Sequence, residues 1–365
     1  MADFTIISAD SHVSEPPNLW LERMERKYRE RAPRIERYGD SDCFVYEGQA
    51  APHPIGLGVM AGKKPEEFKA MGVKLEDCRP GGWDTQARIA DQKIDGLDAE
   101  VVYPTLGMGL YVMPDAELKA VSLRAYNDWL AEFCAPAANR LIGAALLPVD
   151  DVEVAVEELR RTREKGLKGA LIPASPPPNR NYNDPAWDPL WAAACDFDVP
   201  LSLHIGSGKK FVISPGQGAA EIMITMEPLS MQEPVATFIW GAVFERFPKL
   251  RIVSVESGVG WLGYLLERMD HVYLKHRFWT QSALKKPPSE YFYDHVYATF
   301  QEDRIGMKIA LDVGAHNLMW ANDYPHTDTT WPESRKVIDE HFRDFPVEAR
   351  DQIVGGNAAR IYHLS

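Results

Sequence analysis

The chain is 365 residues long, with a formal net charge of −13, 45% hydrophobic residues and four cysteines. Acidic charge spread without a tail, and the lack of a long Lys/Arg run, argue against a nucleic-acid partner, while four widely spaced cysteines without a CxxC pair argue against a disulfide framework and favour a cytoplasmic protein. No apolar run reaches the ~18 residues of a membrane span, and MADFTIISADSHV lacks the basic region and long apolar stretch of a secretory signal.

In chain order, eight short apolar runs recur. They are FTIISAD (4–10), VVYPT (101–105), LIGAALLP (141–148), GALIP (169–173), PLSLHIG (200–206), RIVSVES (251–257), VYATF (296–300) and NLMWAND (317–323). Most are separated by stretches with helical periodicity, among them 115–135, 151–166, 188–198 and 260–276, with Asp115 and Asp151 as start signals and Gly166 as a stop. Strand and helix alternating eight times predict a single (β/α)8 TIM-barrel domain over 1–365, with a doubly wound open sheet as the alternative. Two stretches exceed what a barrel needs: 13–85 after the first strand and 207–235 after the fifth. Both leave from strand C-terminal ends, the face where barrel enzymes build active sites, and are expected to form a lid or a subunit contact.

The chemistry-bearing residues fall at those same ends. Asp10 and His12 close the first run, His204 the fifth, Glu256 the sixth, and Asp323, with His326 just beyond it, the eighth. Each has a plain alternative. Asp10 can cap a loop, His12 and His204 can be hydrogen-bonded rim histidines, Glu256 can pair with Arg251 or Arg268, Asp323 can belong to a turn, and His326 can sit in an exposed loop. Together, at one rim, they predict a site for one or two divalent metals, because several buried acids and imidazoles are costly without a cation to share. Three carboxylates with three histidines form a hard, anionic set that leans from zinc towards manganese or iron.

The pieces DSHVSEP, LHIGSG (203–208), VESGVGWLGYLLERMD (255–270), WANDYPHTD (320–328) and GNAARIYHL (356–364) resemble, in order, the amidohydrolase-related branch of the amidohydrolase superfamily, the group that includes metal-dependent decarboxylases. The resemblance implies ligation by Asp10, His12, His204 and Asp323, with Asp323 doubling as an acid/base and His204 also counted in the catalytic set. The sequence departs from the family in having Asp10 as the first member of the usual HxH pair and Glu256 where histidine is common. Pro173 closes the fourth strand, and Lys168 precedes it, so the lysine-bridged two-zinc site is not expected. The implied activity is decarboxylation or hydrolysis of a small carboxylic acid by Lewis-acid activation, and the alternative is a dinuclear non-heme iron oxygenase on the same ligands.

Other motifs carry less. GVGWLG (258–263) fits GxGxxG, yet no strand ending in an acid follows at the distance a dinucleotide site needs. GSGKK (206–210) lacks P-loop spacing, and no GxSxG is present. A non-enzymatic barrel with a vestigial site is the remaining reading. The amphipathic GYLLERMDHVYLKH and the two excursions suggest a homodimer.

Overall fold

The computed structural model describes residues 5–178, 180–208 and 211–364. Phe4 of the first predicted strand and Lys209 and Lys210 of GSGKK lie outside the described residues. Eight parallel strands form one sheet in chain order: Ile7–His12, Ala99–Tyr103, Leu141–Leu146, Gly169–Pro173, Leu201–His204, Ile252–Val255, Val296–Phe300 and Leu318–Trp320. Every residue of these strands is buried, which is why they read as continuous apolar runs rather than alternating ones.

Helices cover the outside, and their starts follow from side chains that satisfy free amides. Asp115 accepts from Leu118 N ahead of Ala116–Cys134, and Asp151 accepts from Glu153 N and Val154 N ahead of Val152–Glu164. The predicted helices at 188–198 and 260–276 are Asp188–Asp196 and Leu262–His276. Among the described residues, no helix is long and apolar enough to cross a membrane.

The barrel closes between its first and eighth strands by contacts that run past the end of the eighth. Asn322 N donates to Ser8 Oγ (2.9 Å), and Asp323 N donates to the Asp10 carbonyl (3.0 Å). Asp323 therefore lies three residues beyond the strand that was expected to end with it, and Glu256 lies one residue beyond Val255.

The first excursion holds more regular structure than its charge suggests. ERMERKYRERAPRIERYGD, a charge run in the sequence, contains Arg34–Tyr38, which pairs antiparallel with Ser41–Val45, itself paired with His53–Pro54. The turn is Gly39–Asp40, with Gly39 at φ +63°, a conformation that a hairpin of this length demands. The excursion then returns to the helix Thr85–Asp95, capped by Asp84. The second excursion carries the helix Ala219–Met226, none of whose residues is buried.

Candidate metal centre

Strand one delivers two of the six candidate side chains through an irregularity. Opposite Glu100–Val102 it takes one extra residue between Ser8 and Ser11, a bulge that re-aims the backbone at Ala9–Asp10. His12 follows at the strand's last position, opposite Tyr103. Glu256 and Asp323 sit at φ +58° and +51°, left-handed values that few non-glycine residues adopt and that cluster at functional sites. The turn after Glu256 is held by Asp303, whose carboxylate accepts from Val259 N and Gly260 N (both 2.7 Å) and from Gly306 N. The amides with which GVGWLG would cradle a phosphate are thus already occupied by Asp303.

The six side chains converge. His12 Nε2 is 3.3 Å from Asp10 Oδ1 and 3.3 Å from Asp323 Oδ1, and His204 Nε2 is 3.4 Å from Asp10 Oδ1. His204 Nδ1 lies 3.6 Å from Glu256, and His326 Nδ1 lies 3.1 Å from Asp323 Oδ1. Candidate ligand atoms of Asp10, His12, His204 and Glu256 lie within 4.8 Å of one another, as do those of His12, Glu256, Asp323 and His326. Asp10, His12, His204 and Asp323 are fully buried, whereas Glu256 and His326 retain side-chain exposures of 16% and 15% and mark the open side.

The residues present fit a divalent cation on two counts. Both oxygens of Asp10, both of Asp323, and Nε2 of His12 and of His204 are buried without a hydrogen-bond partner, a group of lone pairs that folding rarely tolerates. The imidazoles are also oriented from behind. His12 Nδ1 donates to the Pro104 carbonyl and His204 Nδ1 to the Ile205 carbonyl, both at 2.8 Å. A carbonyl cannot donate, so the proton is on Nδ1, and each Nε2 is free to ligate when the ring is neutral. Lys168 takes no part: its Nζ donates to the His363 carbonyl.

Electrostatics divide the set. Burial resists ionisation of Asp10, yet His204 and His12 hold its carboxyl far below the usual carboxylate range. Burial likewise opposes Asp323, and His326 and His12 pull its carboxyl down. Burial would lower the His12 proton affinity, but Asp10 and Asp323 raise it well above that of a free imidazole. Burial, with Asp323 and Asp10 facing it, pushes Glu256 well above the carboxylate range, and burial lowers His326. Without a cation, His12 and Glu256 therefore hold their protons to higher pH than a free imidazole and a free carboxyl group do. A cation has to displace them, so its affinity should rise with pH until both groups are deprotonated. We expect manganese titrated into metal-free protein at pH 7 to release one to two protons, read by calorimetry in buffers of different ionisation heat; release of none contradicts this charge arrangement.

All six predicted residues thus meet at one place. Sequence reasoning missed the groups behind them: Arg88, buried beneath the centre, and Thr105, whose hydroxyl contacts His326 and which the sequence presents only as the end of a strand.

Comparison with known proteins agrees with this architecture. The model of the family described as amidohydrolase matches residues 12–364. A gamma-resorcylate decarboxylase of Rhodococcus jostii (strain RHA1) is 27% identical over 342 residues, covering 82% of this chain and 97% of its own. Among solved structures, an amidohydrolase of Mycobacterium avium subsp. paratuberculosis K-10 superposes with a TM-score of 0.80 at 21% identity, over 99% of this chain and 100% of the other. A dihydroxybenzoic acid decarboxylase of Polaromonas sp. JS666, solved with bound manganese and the inhibitor 2-nitroresorcinol, gives a TM-score of 0.66 at 18% identity, over 99% and 98%.

Proposed function

The chain belongs to the amidohydrolase family, and from that premise we propose that it is a metal-dependent decarboxylase of a small aromatic carboxylic acid. The observation that carries the reading is the group of buried oxygens and imidazole nitrogens on Asp10, His12, His204 and Asp323 that lack a hydrogen-bond partner, drawn into two overlapping candidate ligand sets that share His12 and Glu256. Those four are the proposed ligands, with Glu256 and His326 completing the set from the open side. The carboxylate-rich donors favour manganese or iron over zinc, and the manganese-bound Polaromonas relative supports the first. The resorcylate relative supports an aromatic acid as substrate and carbon–carbon cleavage over hydrolysis.

When bound, the cation supplies Lewis acidity that anchors the substrate and stabilises negative charge as the carboxyl group leaves. The chain supplies orientation and a proton. His12 and His204, fixed by their carbonyl partners, hold the centre rigid. Asp323, in contact with His12 and His326, is the proposed relay that takes up a proton and passes it to the ring carbon the carboxyl group leaves, so that carboxylate and proton yield arene and carbon dioxide.

The test is incubation of metal-free and manganese-loaded protein with a panel of hydroxybenzoates and related aromatic acids, with carbon dioxide release measured under nitrogen. Manganese-dependent, oxygen-independent release supports the reading. A centre that takes up no divalent metal overturns it, and turnover only with ferrous iron, reductant and oxygen would replace decarboxylation with oxygenation.

We further propose a homodimer through the Leu262–His276 helix and the segment after it, where Tyr264, Leu274, Phe278 and Trp279 are 63–78% exposed. Large apolar side chains so exposed together fit a protein contact. Light scattering should give about twice the chain mass, falling to one chain in Phe278→Ser/Trp279→Ser, and a monomeric wild type rejects the contact.

A further inference from the structure

His326 differs from the other two histidines of the centre in what stands behind it. The rings of His12 and His204 are oriented by backbone carbonyls, which every residue possesses. His326 Nε2 instead meets a side chain, Thr105 Oγ1, at 2.9 Å. The Thr105 hydroxyl has one proton, and it is committed: Oγ1 donates to the Val13 carbonyl at 2.6 Å. Oγ1 can therefore only accept from His326, which places a proton on Nε2 and turns Nδ1 towards Asp323 Oδ1, 3.1 Å away.

We propose that Thr105 is a positioning residue that holds His326 with Nε2 protonated, so that His326 serves the metal centre through Nδ1 while His12 and His204 serve it through Nε2. The metal part of this inference rests on the reading above.

The surroundings of Thr105 are built to keep it in place. It follows Pro104, whose carbonyl orients His12, so one short segment after the second barrel strand sets two of the three imidazoles. Glu15, buried, accepts from Leu106 N (3.1 and 3.0 Å) and Gly107 N (2.8 Å) and pins the segment's far side. From above, the first excursion packs onto the pair. A Cβ on Gly58 would lie 2.7 Å from Thr105 Cγ2 and 3.7 Å from the His326 ring, so no larger residue fits without displacement. Leu57 accepts from Thr327 N (3.1 Å), and Ala61 N donates to the Pro325 carbonyl (3.0 Å), clamping the turn that carries His326. The His326 ring lies against that of His12, with centroids 3.9 Å apart at 29°.

The experiment compares Thr105→Val, which keeps the shape but removes the acceptor, with Thr105→Ser, which keeps the hydroxyl. Manganese affinity of the metal-free proteins is measured by calorimetry. Valine should weaken binding by about 10- to 100-fold, the range found when such supporting partners are removed, and serine should restore it to within about 3-fold of wild type. Independently of any variant's folding, 15N NMR of metal-free wild type, with His326→Gln identifying the resonances, should show His326 protonated on Nε2. Valine binding as tightly as wild type, or a neutral His326 with its proton on Nδ1, overturns the inference. Wild type that binds no manganese sinks the metal reading itself, while the tautomer measurement still decides what Thr105 does.

Discussion

His204→Ala is expected to leave the barrel folded and the centre without its metal. His204 brings Nε2 to 3.4 Å from Asp10 Oδ1 and is held from behind by the Ile205 carbonyl, so its removal takes one of two imidazoles from the Asp10 side of the cluster. Loss of a supporting partner alone weakens metal sites by about 10- to 100-fold, and loss of a ligand should exceed the upper end of that range. Activity should fall at least about 10³-fold, since Lewis-acid stabilisation contributes several kcal/mol and each ~1.4 kcal/mol is a decade in rate. The folded state should survive, because a buried imidazole truncated to methyl costs on the order of 1–3 kcal/mol. Elemental analysis of protein purified in manganese, set beside circular dichroism, checks both halves. Full metal content in a folded variant would remove His204 from the ligand set.

Arg88→Met should give the largest loss of stability. Arg88 is fully buried beneath the centre, where Nε donates to Glu100 (2.7 Å) and Nη1 donates to the His12 carbonyl (2.7 Å) and the Gly81 carbonyl (3.3 Å). Its guanidinium also lies over the Tyr324 ring, 4.4 Å from the centroid. Methionine keeps much of the volume but leaves Glu100, 2% exposed, with Gln92 as its remaining side-chain partner. Stranding one member of a buried pair costs about 3–5 kcal/mol, whereas replacing both often costs little. Urea unfolding should therefore show that loss for Arg88→Met and a partial recovery for Arg88→Met/Glu100→Gln. A change below about 1 kcal/mol would mean that Glu100 is compensated by other groups. Because the same guanidinium holds the His12 carbonyl, metal affinity should fall together with stability.

The strands were legible in the sequence because a barrel buries both faces of each one, so VVYPT or RIVSVES announces itself without any partner being known. The mouth was legible for a related reason: an acid or imidazole at the end of an otherwise apolar run, as at Asp10 or His204, is costly to bury and marks where the core stops. Arg34–Tyr38 was not legible. It lies in a two-sided, charged hairpin whose side chains pair as Arg34–Glu36 and Arg37–Asp42, so its period resembles a solvated face, and only Gly39–Asp40 hinted at a turn. GVGWLG looked like a nucleotide motif because local spacing cannot reveal that Asp303, more than forty residues on, fills its amides. Thr105 was hidden for the same reason: its role exists only opposite His326, 221 residues away, and nothing local distinguishes it from the end of a strand.

The seam between the first and eighth strands has a consequence for the history of each molecule. Ser8 and Asn322, joined across that seam, are 314 positions apart, and Asp10 and Asp323 sit beside them. During synthesis, Asp10 and His12 leave the ribosome long before Asp323 and His326, because the two sides of the seam are 314 positions apart at Ser8 and Asn322. A polypeptide interrupted before Asp323 therefore lacks one side of the cluster, and the six candidate side chains come together only after both sides of the seam have been made.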